Sequence, residues 1–564
     1  MRVEIIEGVR ALTELRAGWD GVYDADPEAQ FFLSWPWLSK WIPSIGTPWF
    51  VLAARPEGNP SAHVAFLPLW VQTKEQKGGG FYNNLIMGGN FVSDYTGILC
   101  LPEHEEQAIP ALARQVRKLH WTNLRLEELC MSRHRTDLFM REFSGADFDV
   151  AKLDPMQEGI DQAICPIAHL PGDWETYLNE KLSANMRQKI RRLLREVDAS
   201  DQFRITHADG KTIDRDLDTL LRHWTVRWRE KKAEHLDGIV KNLRLMLRHA
   251  FDIGSLFLPT LWDGERAVCA LATLVDVRHK SFLFFITGRD ETFDGPQPGL
   301  VLHAHSIRHA IQSGFAAYDF LRGNERYKYS FGVEERRIES IVLTTKNKKN
   351  LGGMLDRRSL RFVLRKSMEH HKAGRRVEAE CGYRQVLDVE PHNVDALYGL
   401  GQITQKRGEH AAAAKLFRTL LAAAPDTPKA WFRLGRSLQA LRELSAAAGA
   451  YCDGIERQPA TAGAYADLGA ILIELGLVDE AIAAFDAARS LQPDFPGLDG
   501  RLTKALQLRE KLPEKELARQ AARNDGLRKR IRKLRMIAAA AELHGAGQNG
   551  RPTGARGQGG AALP

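Results

Sequence analysis

Prolines at Pro391, Pro425, Pro459 and Pro493 stand 34 residues apart three times in succession. A period of this length constrains the fold more than any other feature, because a unit that short buries its apolar face only against its neighbours. Gly401, Gly435 and Gly469 keep the same spacing. So do Leu400, Leu434 and Leu468, then Ala413, Ala447 and Ala481, then Tyr383, Phe417, Tyr451 and Phe485. Small residues let paired helices approach, the aromatic column fills the space between them, and proline ends the second helix of each pair for want of an N–H. The pattern predicts an all-α solenoid. Arg442 stands where Gly408 and Gly476 serve the other units, which predicts a less permissive turn in the third hairpin. Ser367 replaces the column glycine in the first unit, which reads as a degenerate cap.

With Leu434-Gly435, Ala447, Tyr451 and Pro459 in register, the array resembles the tetratricopeptide family. The resemblance implies four repeats over 358–493, a helical cap and extension over 494–541, and a groove that docks a protein partner. Arg407, Arg433, Arg436 and Arg442 are candidates to line that groove for an acidic partner, with solvated helix faces as the alternative. An array of this kind is not an enzyme, so any chemistry belongs to the rest of the chain.

A chain of 564 residues exceeds what one core supports and implies several domains. The formal net charge is +8, but residues 511–564 alone hold twelve Lys or Arg against four Asp or Glu, so the remainder is balanced. The run RKRIRKLR from Arg528 to Arg535 leads into a Gly-rich end, 542–564, that composition predicts to be disordered. This basic tail is open to anionic membrane or an acidic protein, with a solvated tail as the default. No aromatic residue is interleaved for base stacking, which counts against nucleic acid. The six cysteines lie far apart without a CxxC pair, so reduced thiols are expected and neither a disulfide framework nor a metal site. No apolar run is long enough to span a membrane and the N-terminus has no signal-like core, so the expected location is cytoplasmic, with the inner face of the membrane within reach of the tail.

Residues 1–350 alternate strand and helix, an α/β class with two related halves in one core. Strands are predicted at 50–55, 63–72, 124–127, 268–277, 281–287, 315–321 and 338–345. Helices are predicted at 111–120, 174–197, 217–229 and 300–312. The chemistry is expected in the last third. Two strands lead into GRDETFDGPQPG, and a helix starts at once after Pro298 and Gly299. Free N–H groups at such a start suit a pyrophosphate, although a plain strand-to-helix connection has the same sequence pattern.

The run FDGPQPGLVLHAHSIRHAIQSGFAAYDFLRGNERYKYSFGV, with the basic helix LSANMRQKIRRLLR and the pairs His223-Trp224 and Arg227-Trp228, resembles the acetyltransferase-like domain of cellulose- and exopolysaccharide-associated proteins. That domain has the GNAT fold and is related to Fem-type peptidyl transferases. The resemblance implies a GNAT domain over 161–350 behind a degenerate GNAT-like half over 1–160. It further implies acyl transfer from acetyl-CoA or another acyl-CoA, as co-substrate rather than bound cofactor, to an amine or hydroxyl of a sugar or cell-envelope precursor. Phe285, Ile286 and Thr287 would offer strand edge to the pantetheine arm, and Pro298, Gly299, Leu300 and Val301 would hold the pyrophosphate. Asp319 or Glu325 would be the base, Tyr327 the donor to the leaving sulfur, and Arg322 or Lys328 the partner of an anionic group. Arg187, Arg191, Arg227 and Trp228 would meet the substrate. The family's phosphate loop carries several glycines where this chain has only Gly299, which leaves open a Fem-type aminoacyl-tRNA donor or a ligand-binding scaffold without turnover.

Overall fold

The computed structural model describes residues 1–44, 46–58, 62–89, 92–232, 235–459, 461–534 and 536. Two compact units divide the chain: Met1–Lys74 with Tyr82–Ser359, and Glu75–Phe81 with the chain from Leu360 on.

Two eight-stranded sheets of matching plan build the first unit. One runs Arg2–Ile6, Trp49–Arg55, Ala65–Glu75, Phe81–Met87, Asn123–Leu129, Glu339–Thr345, Phe148–Lys152, with Leu99–Cys100 beside Ala65–Glu75. The other runs Phe203–His207, Pro259–Asp263, Arg266–Asp276, Ser281–Arg289, Ala317–Asp319, Ile164–His169, Glu334–Arg337, with Leu256–Phe257 beside Arg266–Asp276. Each contains one parallel pair, Phe81–Met87 beside Asn123–Leu129 and Ser281–Arg289 beside Ala317–Asp319. A helix crosses between the members of each pair, Glu105–Val116 in the first and Pro298–Gln312 in the second, as parallel neighbours require.

Glu339–Thr345 lies in the first sheet, between Asn123–Leu129 and Phe148–Lys152, although sequence order assigns it to the second half. Its alternating Ile341 and Leu343 bury among the first sheet's apolar residues and draw it there. The halves also share a core: Trp19, Trp37 and Tyr95 pack in one cluster with Leu274, Leu283 and Leu321. The single long helix expected over 174–197 is interrupted. Ser183 is extended and its hydroxyl accepts the Met186 N–H at 3.3 Å, starting a new helix at Ala184.

The second unit is the solenoid. Its helix pairs are Leu360–Lys372 with Arg376–Val389, Val394–Lys406 with His410–Ala423, Pro428–Ala440 with Leu444–Arg457, and Ala462–Glu474 with Val478–Leu491. The close approach expected of the glycine column is visible at Gly435, where a Cβ would meet the Tyr451 ring at 2.6 Å. In the first pair the small residues change sides: Ser367 is fully buried against Gly382. Helices Leu498–Lys511 and Glu514–Arg523 follow. The expected disordered end, 542–564, and the last residues of the extension lie outside the described residues.

Arg407, Arg433, Arg436 and Arg442 tie neighbouring helices together. They meet Glu380 at 2.7 Å, Gln405 at 3.1 Å, Asp467 at 3.7 Å, and Glu474, respectively. Arg442 takes φ +62°, the left-handed turn that Gly408 and Gly476 adopt at +83° and +80°. An L-residue is strained there by about 1 kcal/mol. Arg442→Gly is therefore expected to stabilise the solenoid by up to about 1 kcal/mol in denaturant unfolding, the exposed pair with Glu474 contributing little. A loss of stability would show that the ion pair outweighs the strain.

Candidate active site

Strand Ser281–Arg289 shapes the site in two ways. It pairs with Ala317–Asp319 only through Ser281–Leu283, so its outer half diverges with an open edge. Its register against Arg266–Asp276 shifts so that Ile286 faces Ala272 and Phe284 faces Thr273, leaving Phe285 without a partner. Such a bulge frees backbone groups at the point where the strand bends. The helix Pro298–Gln312 starts opposite with no side chain capping it. Val301 already donates its N–H to the Gln297 carbonyl at 3.0 Å, so the first-turn N–H groups of Gly299 and Leu300 are those without an acceptor in the helix.

A cleft of about 750 Å³ joins these features. Phe285, Ile286 and Thr287 line one side, and Pro298, Gly299 and Leu300 line the helix start. Trp224, Arg227 and Trp228 enter from helix Ile213–Lys232, and Met186 and Lys189 from helix Ala184–Asp198. Glu325 and Tyr327 complete it. A Cβ at Gly299 would touch nothing within 4 Å, so the backbone there is open to a ligand.

The loop carrying Glu325 and Tyr327 is held from behind. Lys328 is 2% exposed, and its ammonium donates to the carbonyls of Arg322 at 2.7 Å and Gly323 at 2.9 Å. It also pairs with Glu325 Oε2 at 2.9 Å, fixing one oxygen of that carboxylate. Gly323 has φ +98°, and a Cβ there would strike the same oxygen at 2.6 Å. Tyr327 stands 5.7 Å from the His303 ring, centroid to centroid. Desolvation, with Glu325 second, pushes the Tyr327 phenol upward, so it keeps its proton at neutral pH. His303 is buried against Tyr318, whose hydroxyl lies 3.1 Å from Nδ1. Burial, then the Lys328 charge, brings its pKa down to about 3, so it is a neutral imidazole in the cleft wall.

The first half supports the same loop. Arg322 reaches Asp94 at 3.2 Å and pairs with Glu128. Burial pushes Glu128 up to about 7 against the opposing pull of Arg322. Glu128 and Leu321 both hold left-handed backbone, φ +57° and +54°, on the two sides of this contact. Strain of that kind persists only where surroundings enforce it. Asp319, expected as a base, is saturated. It accepts the Tyr95 hydroxyl at 3.0 Å, the Leu321 N–H at 2.8 Å and an Arg336 N–H at 2.7 Å. Those contacts make it a strut between the halves, and it does not line the cleft.

Five other expected residues also sit outside the cleft, the first being Lys328, whose ammonium is turned to the Arg322 and Gly323 carbonyls behind the loop and not to an anionic ligand. Val301 is fully buried and its N–H is used. Arg322 instead lines a separate cavity of about 400 Å³. Arg187 donates to the Asn179 carbonyl at 3.3 Å and Arg191 pairs with Glu175. The reason is helical phase: Met186 and Lys189 share the cleft face at a spacing of three, and Arg187 and Arg191 fall on another. Sequence reading gave His303 no role, and named Lys189 only within the cluster Arg187, Lys189, Arg191, Arg192 and Arg195 as a cradle for a diphosphate-linked donor. Lys189 was countable in the basic helix, but its face was not known. His303 carried no signal beyond its place one turn into the helix. Among the described residues no group of three His, Cys, Asp or Glu side chains is placed to hold a metal ion. The six cysteines are unpaired. No described helix is long and apolar enough to cross a membrane.

Comparison with known proteins assigns two modules. Residues 184–329 match the acetyltransferase (GNAT) domain. Residues 370–440 and 432–496 match tetratricopeptide repeats. Among solved structures the chain is similar to FemX at 10% identity, over 59% of this chain and 96% of that one, with a TM-score of 0.42. It is also similar to MamA at 23% identity, over 32% of this chain and 96% of that one, with a TM-score of 0.25. No curated protein matches.

Proposed function

Starting from a chain that carries a GNAT acetyltransferase domain followed by tetratricopeptide repeats, we propose that it transfers an acyl group, acetyl in the simplest case, from acyl-CoA to an amine or hydroxyl of a sugar or cell-envelope precursor. The observation that carries this reading is the meeting, in one cleft, of the Phe285 bulge, the uncapped start at Pro298–Leu300, and Glu325 with Tyr327. The freed strand edge suits the amides of a pantetheine arm. The N–H groups of Gly299 and Leu300 suit the pyrophosphate, with Lys189 adding positive charge nearby. Trp224 and Trp228 give the acceptor side a flat apolar wall suited to a sugar ring.

In the reaction, the acceptor's amine or hydroxyl attacks the thioester carbonyl while Glu325 takes its proton. The new C–N or C–O bond forms, the C–S bond breaks, and Tyr327 donates its proton to the departing sulfur. Lys328 is a positioning residue, since it reaches the reaction only by holding the Glu325 carboxylate. CoA as the donor puts the reaction in the cytoplasm. The repeats would bring the domain to a protein partner in polysaccharide or envelope assembly.

Calorimetry of the full chain with acetyl-CoA tests the donor. One-to-one binding is expected, weakened at least about tenfold in Gly299→Asp, which sets a carboxylate where the pyrophosphate would lie. The substitution meets open space, so the fold is expected to be unaffected. No binding of acetyl-CoA, or equal binding by the variant, would overturn the assignment. Salt-sensitive binding of tRNA in its place would favour an aminoacyl-tRNA donor.

A further inference from the structure

The run expected as a free basic tail is folded back onto the repeats. Residues 525–534 form a helix on which Leu527, Ile531 and Leu534 recur at one helical face. Ile531 is 4% and Leu534 1% exposed, and all three pack into the solenoid's apolar cluster. Tyr465 donates its hydroxyl to the Leu534 carbonyl at 3.4 Å. Arginines flank the seam and meet carboxylates of the array. Arg530 reaches Asp453 at 3.0 Å and Glu456 at 3.3 Å, and Arg528 pairs with Glu480.

This surface has a defined chemistry. It offers an apolar seat beside Tyr465 and three carboxylates spread over the helices Leu444–Arg457 and Val478–Leu491. Residues 525–534 of the seated helix are described, and Met536 is helical too. An amphipathic helix takes most of its stability from packing its apolar face, so its order depends on docking. Its ion pairs are partly exposed and hold it only weakly. The segment is thus a removable occupant of a surface built for a basic amphipathic helix.

We propose that this face of the array is the receptor for a basic amphipathic helix of a partner protein, with apolar residues at positions i, i+4 and i+7 and arginines beside them. The chain's own 525–534 occupies the receptor until that partner displaces it. The proposal rests on reading the repeats as a docking module and is independent of the acyltransferase chemistry. It reverses the charge expected of the partner, because Asp453, Glu456 and Glu480 on this face pair with arginines of the resident helix.

The probe is a labelled synthetic peptide with the sequence of residues 524–536, followed by fluorescence anisotropy. The full chain is compared with Ile531→Asp/Leu534→Asp, which expels the resident helix, and with a chain ending at Arg523 in case the double variant perturbs the repeats. Both altered chains are expected to bind the peptide at least tenfold more tightly than the intact chain. Adding Asp453→Lys and Glu456→Lys should cut that binding at least tenfold. Acetyl-CoA affinity is expected to stay unchanged throughout, which separates failure of this proposal from failure of the donor assignment. Equal affinity for intact and altered chains would overturn the proposal, as would equal binding of a scrambled peptide of the same charge. No binding by either altered chain would overturn it too. Binding of the intact chain to phosphatidylglycerol vesicles, lost on removal of 525–534, would assign the segment to membrane and likewise overturn it.

Discussion

Tyr327→Phe is expected to lower kcat for acyl transfer by at least about a hundredfold while leaving acetyl-CoA affinity nearly unchanged. The phenol keeps its proton at neutral pH, so the wild-type protein presents a ready donor to the sulfur. Phenylalanine preserves the ring beside His303 and removes only that proton. Glu325→Gln is expected to cost a similar factor, because the amide keeps contact with Lys328 but cannot accept the nucleophile's proton. Stopped-flow detection of released thiol at saturating acetyl-CoA reads the effect directly. Asp319→Asn is the contrast. It is expected to lower stability, since Asp319 receives Tyr95 and Arg336, yet to spare most of kcat in the folded fraction. A profile in which Asp319→Asn abolishes turnover and Glu325→Gln does not would return the base to Asp319.

The largest stability effect is expected away from the cleft, at Arg135. Its guanidinium is fully buried and forks onto Asp26 at 2.8 and 2.9 Å, reaches Glu105 at 2.7 Å, and donates to the carbonyls of Ile98 and Cys100. Asp26 is equally buried and also accepts the N–H of Cys100 at 2.9 Å. Arg135→Met leaves that carboxylate without its counter-charge and is expected to destabilise the first unit by about 3–5 kcal/mol. Asp26→Leu/Arg135→Met, which removes both charges, is expected to recover a substantial part. Denaturant unfolding measures both. A loss below about 1 kcal/mol in the single variant would mean that water or neighbouring groups compensate Asp26.

The two sets of variants report on separate layers of the molecule. Glu325 and Tyr327 act at the cleft, where their own stability cost is small. Arg135 and the strut at Asp319 act on the frame, which brings the first half against the reaction loop. The left-handed residues Leu321 and Glu128 mark that junction, and the contacts of Arg322 with Asp94 and Glu128 hold the first half to the reaction loop.

Much of this was legible in the residues. The 34-residue columns state the solenoid outright, because its contacts are between neighbours and the spacing is the structure. Phe285–Thr287, Pro298–Leu300, Arg227, Trp228, Glu325 and Tyr327 were also nameable, and the structure gathers them into one cleft. Local chemistry marked the strand end and the helix start, and the resemblance supplied the rest, Arg227 and Trp228 in mid-helix among them. What sequence could not supply was phase and partnership. The basic helix advertised Arg187 and Arg191, but the break at Ser183 and a helical turn of 3.6 residues aim Lys189 at the cleft instead. Asp319 has the sequence setting of a base, but Arg336 and Tyr95, 17 and 224 residues away in the chain, occupy its carboxylate. The basic run near the C-terminus read as a solvated tail because composition cannot see that Asp453, Glu456 and Glu480 converge on it. Periodicity and turn chemistry are written in neighbouring residues, so the chain alone determined its modules and the strands and helix that border the cleft. Burial, ion pairing and the facing of a helix depend on groups distant in sequence, and those were decided only by the tertiary fold.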